Sequence, residues 1–166
     1  MAIEIKQLDA HHPLALKTAM VVKDAIASES NLSHRTLREV TGFLRKGQIF
    51  GLYANGDLAS FLFISPLNKR VAELHCVFTF PKYRNQGYFL KLLAYVEEKD
   101  NRKLFAVTFH AEIKEIFIKH GFQSTSLATL PWTARLNFLW LRMHVRRWVS
   151  MVRFMSQKRP MYLIKN

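Results

Sequence analysis

Cysteine is almost missing from this chain: Cys76 is the single one among 166 residues. One thiol excludes an intramolecular disulfide framework and a multi-cysteine zinc site, and it suits a reducing compartment. Glycine and proline are sparse as well, at six and five residues, which excludes collagen-like and low-complexity classes. No run of about 18 uncharged apolar residues occurs, so a simple membrane-spanning helix is not expected. The opening residues, MAIEIKQLDAHHP, lack the apolar core of roughly 7–15 residues that a secretory signal places behind basic residues. A cytoplasmic location is the resulting expectation. The last absence is of one charge sign: Glu115 is the final acidic residue before Asn166.

What is present is enough apolar material for one core and a surplus of positive charge. Hydrophobic residues make up 49% and aromatic residues 13%, so disorder is excluded and a single domain over 1–166 is expected. The net charge is +13, and nine basic residues with no acid lie between Ile116 and Asn166. A basic C-terminal third suits an acidic partner such as nucleic acid, a phosphorylated ligand or an anionic membrane, or it serves solubility alone.

Alternation and turn chemistry order the elements. Ile3–Leu8 reads as a strand, His12–Ala27 as a helix, and Ser33 as the cap of a second helix through Leu44. Gln48–Ala54 and Asp57–Ile64 flank Asn55-Gly56, the strongest hairpin signal in the chain. Val71–Phe80 is a strand ended by Pro81, Tyr88–Lys99 a helix, Lys103–Phe109 a strand, and Ala111–His120 a helix stopped by Gly121. Gln123–Leu130 reads as a strand, Thr133–Met155 as a long helix, and Met161–Ile164 as a closing strand. This order predicts an α/β fold with a mixed, mostly antiparallel central sheet flanked by helices, and a long basic amphipathic helix near the C-terminus.

The stretch that carries chemistry is ELHCVFTFPKYRNQGYF, Glu73 to Phe89. A hydrophobic strand runs into Arg84-Asn85-Gln86-Gly87 and straight on into a helix. Gly87 permits a turn whose backbone N–H groups converge, and the following helix adds its free amides and positive end. Lys82 and Arg84 add charge beside them. The design suits a phosphate.

Here the chain resembles the GNAT superfamily of acyl-CoA-dependent N-acyltransferases. Thr79-Phe80-Pro81-Lys82-Tyr83 followed by Arg84-x-x-Gly87-x-Phe89 is similar to the family's strand end and R/Q-x-x-G-x-G/A loop. His110-x-x-Ile113-x-x-x-Phe117-x-Lys119-x-Gly121-Phe122 is similar to its downstream N-x-x-A-x-x-x-Y-x-K-x-G-F block. The resemblance covers roughly residues 1–130. It implies acetyl-CoA or another acyl-CoA as cofactor, with its pantetheine arm along the backbone of Val77, Phe78 and Thr79. It implies a pyrophosphate on the amides of Asn85, Gln86, Gly87, Tyr88 and Phe89, beside Arg84. His110 stands where an Asn contacts the cofactor, and Phe117 where a Tyr serves as general acid. Three positions depart from the pattern: Phe89 for a small residue, Phe117 without a hydroxyl, and His110 for an amide.

Acyl transfer to an amine needs a base for the nucleophile. By period-two alternation Glu73, His75, Val77 and Thr79 share one face of the strand, and Leu74, Cys76, Phe78 and Phe80 the other. Glu73 or His75 is the candidate base; the plainer reading makes them a solvated strand residue and a hydrogen-bonded sheet histidine. Cys76 reads as a small buried side chain. His11-His12 lacks companions at ligand spacing, so no metal site is expected.

Between the last two strands, about 131–159 is an inserted segment. As one helix it would line up Arg135, Arg142, Arg146 and Arg153 within about 20° of one axis line, flanked by Phe138, Leu141, Val145, Trp148, Val152 and Met155. Such a helix packs on its own domain or a second copy, lies on an anionic membrane or nucleic acid, or docks a larger protein assembly. The expected function is transfer of an acetyl or other acyl group from acyl-CoA to an unidentified amine. The alternative is a catalytically degenerate relative acting as a binding or structural component.

Overall fold

The computed structural model describes residues 2–8, 15–29, 32, 34–141 and 159–165. Its seven strands are β1 (Ile3–Gln7), β2 (Ile49–Ala54), β3 (Asp57–Pro66), β4 (Val71–Thr79), β5 (Lys103–Thr108), β6 (Gln123–Thr125) and β7 (Met161–Lys165). They form one sheet in the order β1-β2-β3-β4-β5-β7-β6. The helices are α1 (Ala15–Ser28), α2 (Leu37–Arg45), α3 (Tyr88–Lys99), α4 (Ala111–Lys119) and α5 (Trp132–Trp140). Two compact units divide the chain, Met1–Ile64 with His75–Asn101, and Ser65–Leu74 with Arg102–Asn166.

In the first unit, Asn55 and Gly56 both take positive φ, 52° and 87°, the geometry of a type I′ hairpin turn. The turn sets Ala54 opposite Asp57, and β1 adds antiparallel to β2 with Ile3 opposite Ala54. α1 and α2 lay Ala19, Val22, Ile26, Val40 and Leu44 onto Ile49, Phe61, Phe63 and Phe78. Each fully buried Val, Leu, Ile or Phe among them contributes roughly 1.5–3 kcal/mol. Phe50, the residue after Ile49, points the opposite way and meets Tyr95 of α3, ring centroids 6.4 Å apart. The sheet here is covered on both faces, which is why β2 reads as an unbroken apolar run.

In the second unit, β5 runs parallel to β4 from Val71–Lys103 to Leu74–Ala106, and β7 pairs antiparallel with both β5 and β6. Leu67, Val71, Phe105, Leu130, Ala134 and Phe138 form its core cluster. The Asn68 carboxamide accepts from the backbone N–H groups of Arg70 and Val71, both at 2.8 Å, and folds the connection into β4.

Two sequence expectations are corrected. α2 is capped by Thr36 and not by Ser33: the Thr36 hydroxyl accepts from Glu39 N while the Glu39 carboxylate accepts from Thr36 N, a complete capping box. The strand expected over Gln123–Leu130 stops at Thr125, and Leu127–Thr129 is a 3-10 turn. Its hydroxyls bind locally, Thr129 Oγ1 to Ser126 O at 2.7 Å and to Thr125 Oγ1 at 2.6 Å, and so compete with the ladder. The described part of the expected long helix is the nine-residue α5; Arg142, Arg146 and Arg153 lie outside the described residues.

α5 buries Ala134 and Phe138 in its own unit, the Phe138 ring edge-on to Phe105 at 5.4 Å. Arg135 turns back to the preceding loop, donating through Nη2 to Ala128 O at 2.6 Å and Leu130 O at 3.3 Å. Trp132, Leu136, Leu139 and Trp140 are exposed. No helix among the described residues is long and apolar enough to cross a membrane.

Candidate active site

β4 does not keep a simple alternation. Cys76, in mid-strand, has φ of 49°, the left-handed region that a non-glycine residue enters at a cost of about 1–2 kcal/mol. This kink changes which way the neighbouring side chains face. The His75 ring stands 5.4 Å from Phe63 and 5.7 Å from Phe43. Those rings belong to the same apolar assembly as Cys76, Phe78 and Phe80. The expected opposition of His75 to Cys76 and Phe78 is therefore wrong, and the positive φ is the reason.

The strand's end is built by hydrogen bonds to β3. The buried Ser60 hydroxyl donates to Phe78 O at 2.9 Å and lies 3.0 Å from Thr79 Oγ1, and Phe80 N donates to Ala59 O at 3.0 Å. Arg84 Nε donates to Thr79 O at 3.1 Å. Val77 is half-buried between Cys76 and Phe78.

Beyond the strand, Pro81–Tyr83 makes one 3-10 turn. Asp57, from the hairpin turn, fastens it: Lys82 Nζ donates to Asp57 Oδ2 at 2.8 Å and Tyr83 Oη to the same oxygen at 3.1 Å. The Lys82 and Tyr83 hydrogen bonds hold the Asp57 carboxyl below its usual range, and the Asp57 bond raises the Lys82 ammonium above its own. Arg84 pairs with Glu29 at the end of α1. Both cations beside the loop thus have carboxylate partners, which their distance in sequence conceals.

The loop itself offers backbone. Asn85 and Gly87 have φ of 62° and 71°, and Arg84, Asn85, Gln86 and Gly87 are all exposed. Gly87 is the N-cap of α3, with no side-chain cap and no acid in the first turn. A Cβ placed on Gly87 would meet nothing within 4 Å, so the space over the helix end is open. Tyr88 is buried, its ring 5.9 Å from that of Tyr83, and Phe89 is half-buried. A loop of exposed amides on a helix N-terminus fits a pyrophosphate.

The remaining candidates belong to the second unit. Glu73 is 3% exposed, opposite Phe105 in the β4–β5 register. His110 is the N-cap of α4, its backbone N–H donating to Thr108 Oγ1 at 3.2 Å. Phe117 is buried with its ring edge-on to Phe122 at 4.8 Å. Among the described residues no three His, Cys, Asp or Glu side chains converge for a metal. Asp57, Ser60 and Glu29 escaped sequence reading because each acts on a residue far along the chain.

The family model for the acetyltransferase (GNAT) family matches residues 21–122. The chain belongs to the GNAT acetyltransferase family. No curated protein matches it by sequence. Among solved structures, it is similar to N-acetylglutamate synthase from Neisseria gonorrhoeae complexed with coenzyme A and N-acetyl-glutamate, with a TM-score of 0.72 and 19% identity over 99% of this chain. The chain spans 35% of that protein's length. Diaminobutyrate acetyltransferase from Paenibacillus lautus superposes with a TM-score of 0.66 and 11% identity, over 99% of this chain and 95% of that one. The ribosomal-protein-S18-alanine N-acetyltransferase from Escherichia coli gives 0.62 and 15%, over 98% and 91%. At these identities the likeness is one of fold.

Proposed function

We propose that the protein is an N-acyltransferase that moves an acetyl or other acyl group from acyl-CoA to an amine. The observation that carries this is the left-handed Gly87 at the uncapped start of α3, one turn beyond the end of a strand kinked at Cys76. Exposed amides from Asn85 onward hold the pyrophosphate, and the backbone of Val77–Thr79 takes the extended arm. When bound, acyl-CoA supplies the thioester. His75 or Glu73 accepts the proton that the amine nitrogen loses as the C–N bond forms and the C–S bond breaks. Phe117 has no proton to give and is packed against Phe122, so water protonates the departing thiolate.

The test is release of free thiol from acetyl-CoA with a panel of small amines. Amine-dependent release that falls at least about tenfold in His75→Gln or Glu73→Gln supports the reading. The buried Phe117 and the half-buried Phe89 favour a second reading, a binding protein without turnover. That reading requires coenzyme A to bind while no amine releases thiol.

A further inference from the structure

We propose that Arg35 binds the carboxylate of the acceptor, so that the substrate is a free amino acid. This rests on the acyltransferase reading and names its substrate class. Arg35 lies in the connection before α2, half-buried, with Nε and Nη1 buried and without a hydrogen-bond partner. Its guanidinium stands over the Phe43 ring, Cζ 5.4 Å from the centroid, and Nη2 reaches Cys76 Sγ at 3.9 Å. A ring face and a sulfur are weak partners for a group with five N–H donors. A buried charge of this kind calls for an anion, and the guanidinium fork matches a carboxylate.

The acids nearest to Arg35 in sequence are committed elsewhere, Glu29 to Arg84 and Glu39 to the Thr36 cap. Among the described residues no acid pairs with Arg35. The place also argues against the cofactor as the source of the anion. Pyrophosphate amides begin at Asn85 and the pantetheine arm follows Thr79 back to Val77, so Cys76 and His75 mark the thioester end. Phe43 touches both parts of the arrangement, Arg35 on one side and the His75 ring at 5.7 Å. An amine anchored by its carboxylate on Arg35 is thereby delivered to the candidate base.

The experiment compares each of the twenty standard L-amino acids with its α-carboxamide, by thermal stabilisation and by thiol release from acetyl-CoA, in wild type, Arg35→Gln and Arg35→Lys. At least one amino acid is expected to exceed its carboxamide by about tenfold or more in kcat/KM. Arg35→Gln abolishes that preference chiefly through KM, and Arg35→Lys restores part of it, while acetyl-CoA affinity is unchanged in both. Unchanged acetyl-CoA affinity also shows that the variants fold. Indifference to the carboxylate, or to Arg35→Gln, overturns the proposal even if other amines are acetylated. If acetyl-CoA does not bind wild type, Arg35-dependent stabilisation by an amino acid still upholds the carboxylate site and the acyltransferase reading alone falls. Absence of that stabilisation removes both.

Discussion

Arg84 Nε donates to the carbonyl of Thr79 at 3.1 Å, so the arginine of the phosphate loop closes back onto the strand that precedes it. The same guanidinium pairs with Glu29. On the proposed reading, Arg84 holds the loop's shape while the backbone amides meet the anion. Arg84→Ala should therefore weaken coenzyme A by loosening the loop, and Glu29→Gln should reproduce part of the loss. An effect of Arg84→Ala with none from Glu29→Gln, in side-by-side titrations, would instead make the arginine a direct phosphate contact.

The Asp57 latch gives a pH signature. The Asp57 carboxyl is depressed below its ordinary 3.8, so its contribution is complete above that value and is lost as pH falls through the lower folded value. The Lys82 ammonium is raised above its ordinary 10.5, so its share is complete below that value and is lost as pH rises through the higher folded one. Asp57→Asn should lower Tm modestly across the range between, with the difference vanishing in acid and shrinking with added salt. A constant difference at every pH would show that the ion pair contributes nothing.

Gly87→Ala isolates backbone strain. Open space surrounds the new Cβ, so only the φ of 71° is penalised, by about 1–2 kcal/mol in urea unfolding. A loss above that range would mean the loop rearranges.

α5 tests packing against exposure. Phe138→Ala should cost about 3–5 kcal/mol, as a buried aromatic does. Trp132→Ala and Trp140→Ala, at 66% and 69% exposure, should stay within about 0.5 kcal/mol. Equal losses in all three would contradict the side of the helix assigned to the core.

Local chemistry was the legible part of this fold. Asn55-Gly56 announced its hairpin, and Tyr88–Lys99 begins and ends where its glycine and its apolar spacing say. The cap of α2 was also readable, since Thr36-x-x-Glu39 is a capping box and Ser33 has no acid three residues on. The kink at Cys76 was not readable, because nothing local marks a non-glycine residue for positive φ. For the same reason the face of His75 was misread. Partners such as Arg84–Glu29 and Lys82–Asp57 are joined only by the tertiary fold, and so is the isolation of Arg35.

The most direct test is calorimetric titration of acetyl-CoA into wild type and Gly87→Glu. The account predicts one site per chain in wild type and no measurable binding in Gly87→Glu, where bulk and negative charge occupy the helix end. Equal affinity in the two proteins would contradict it.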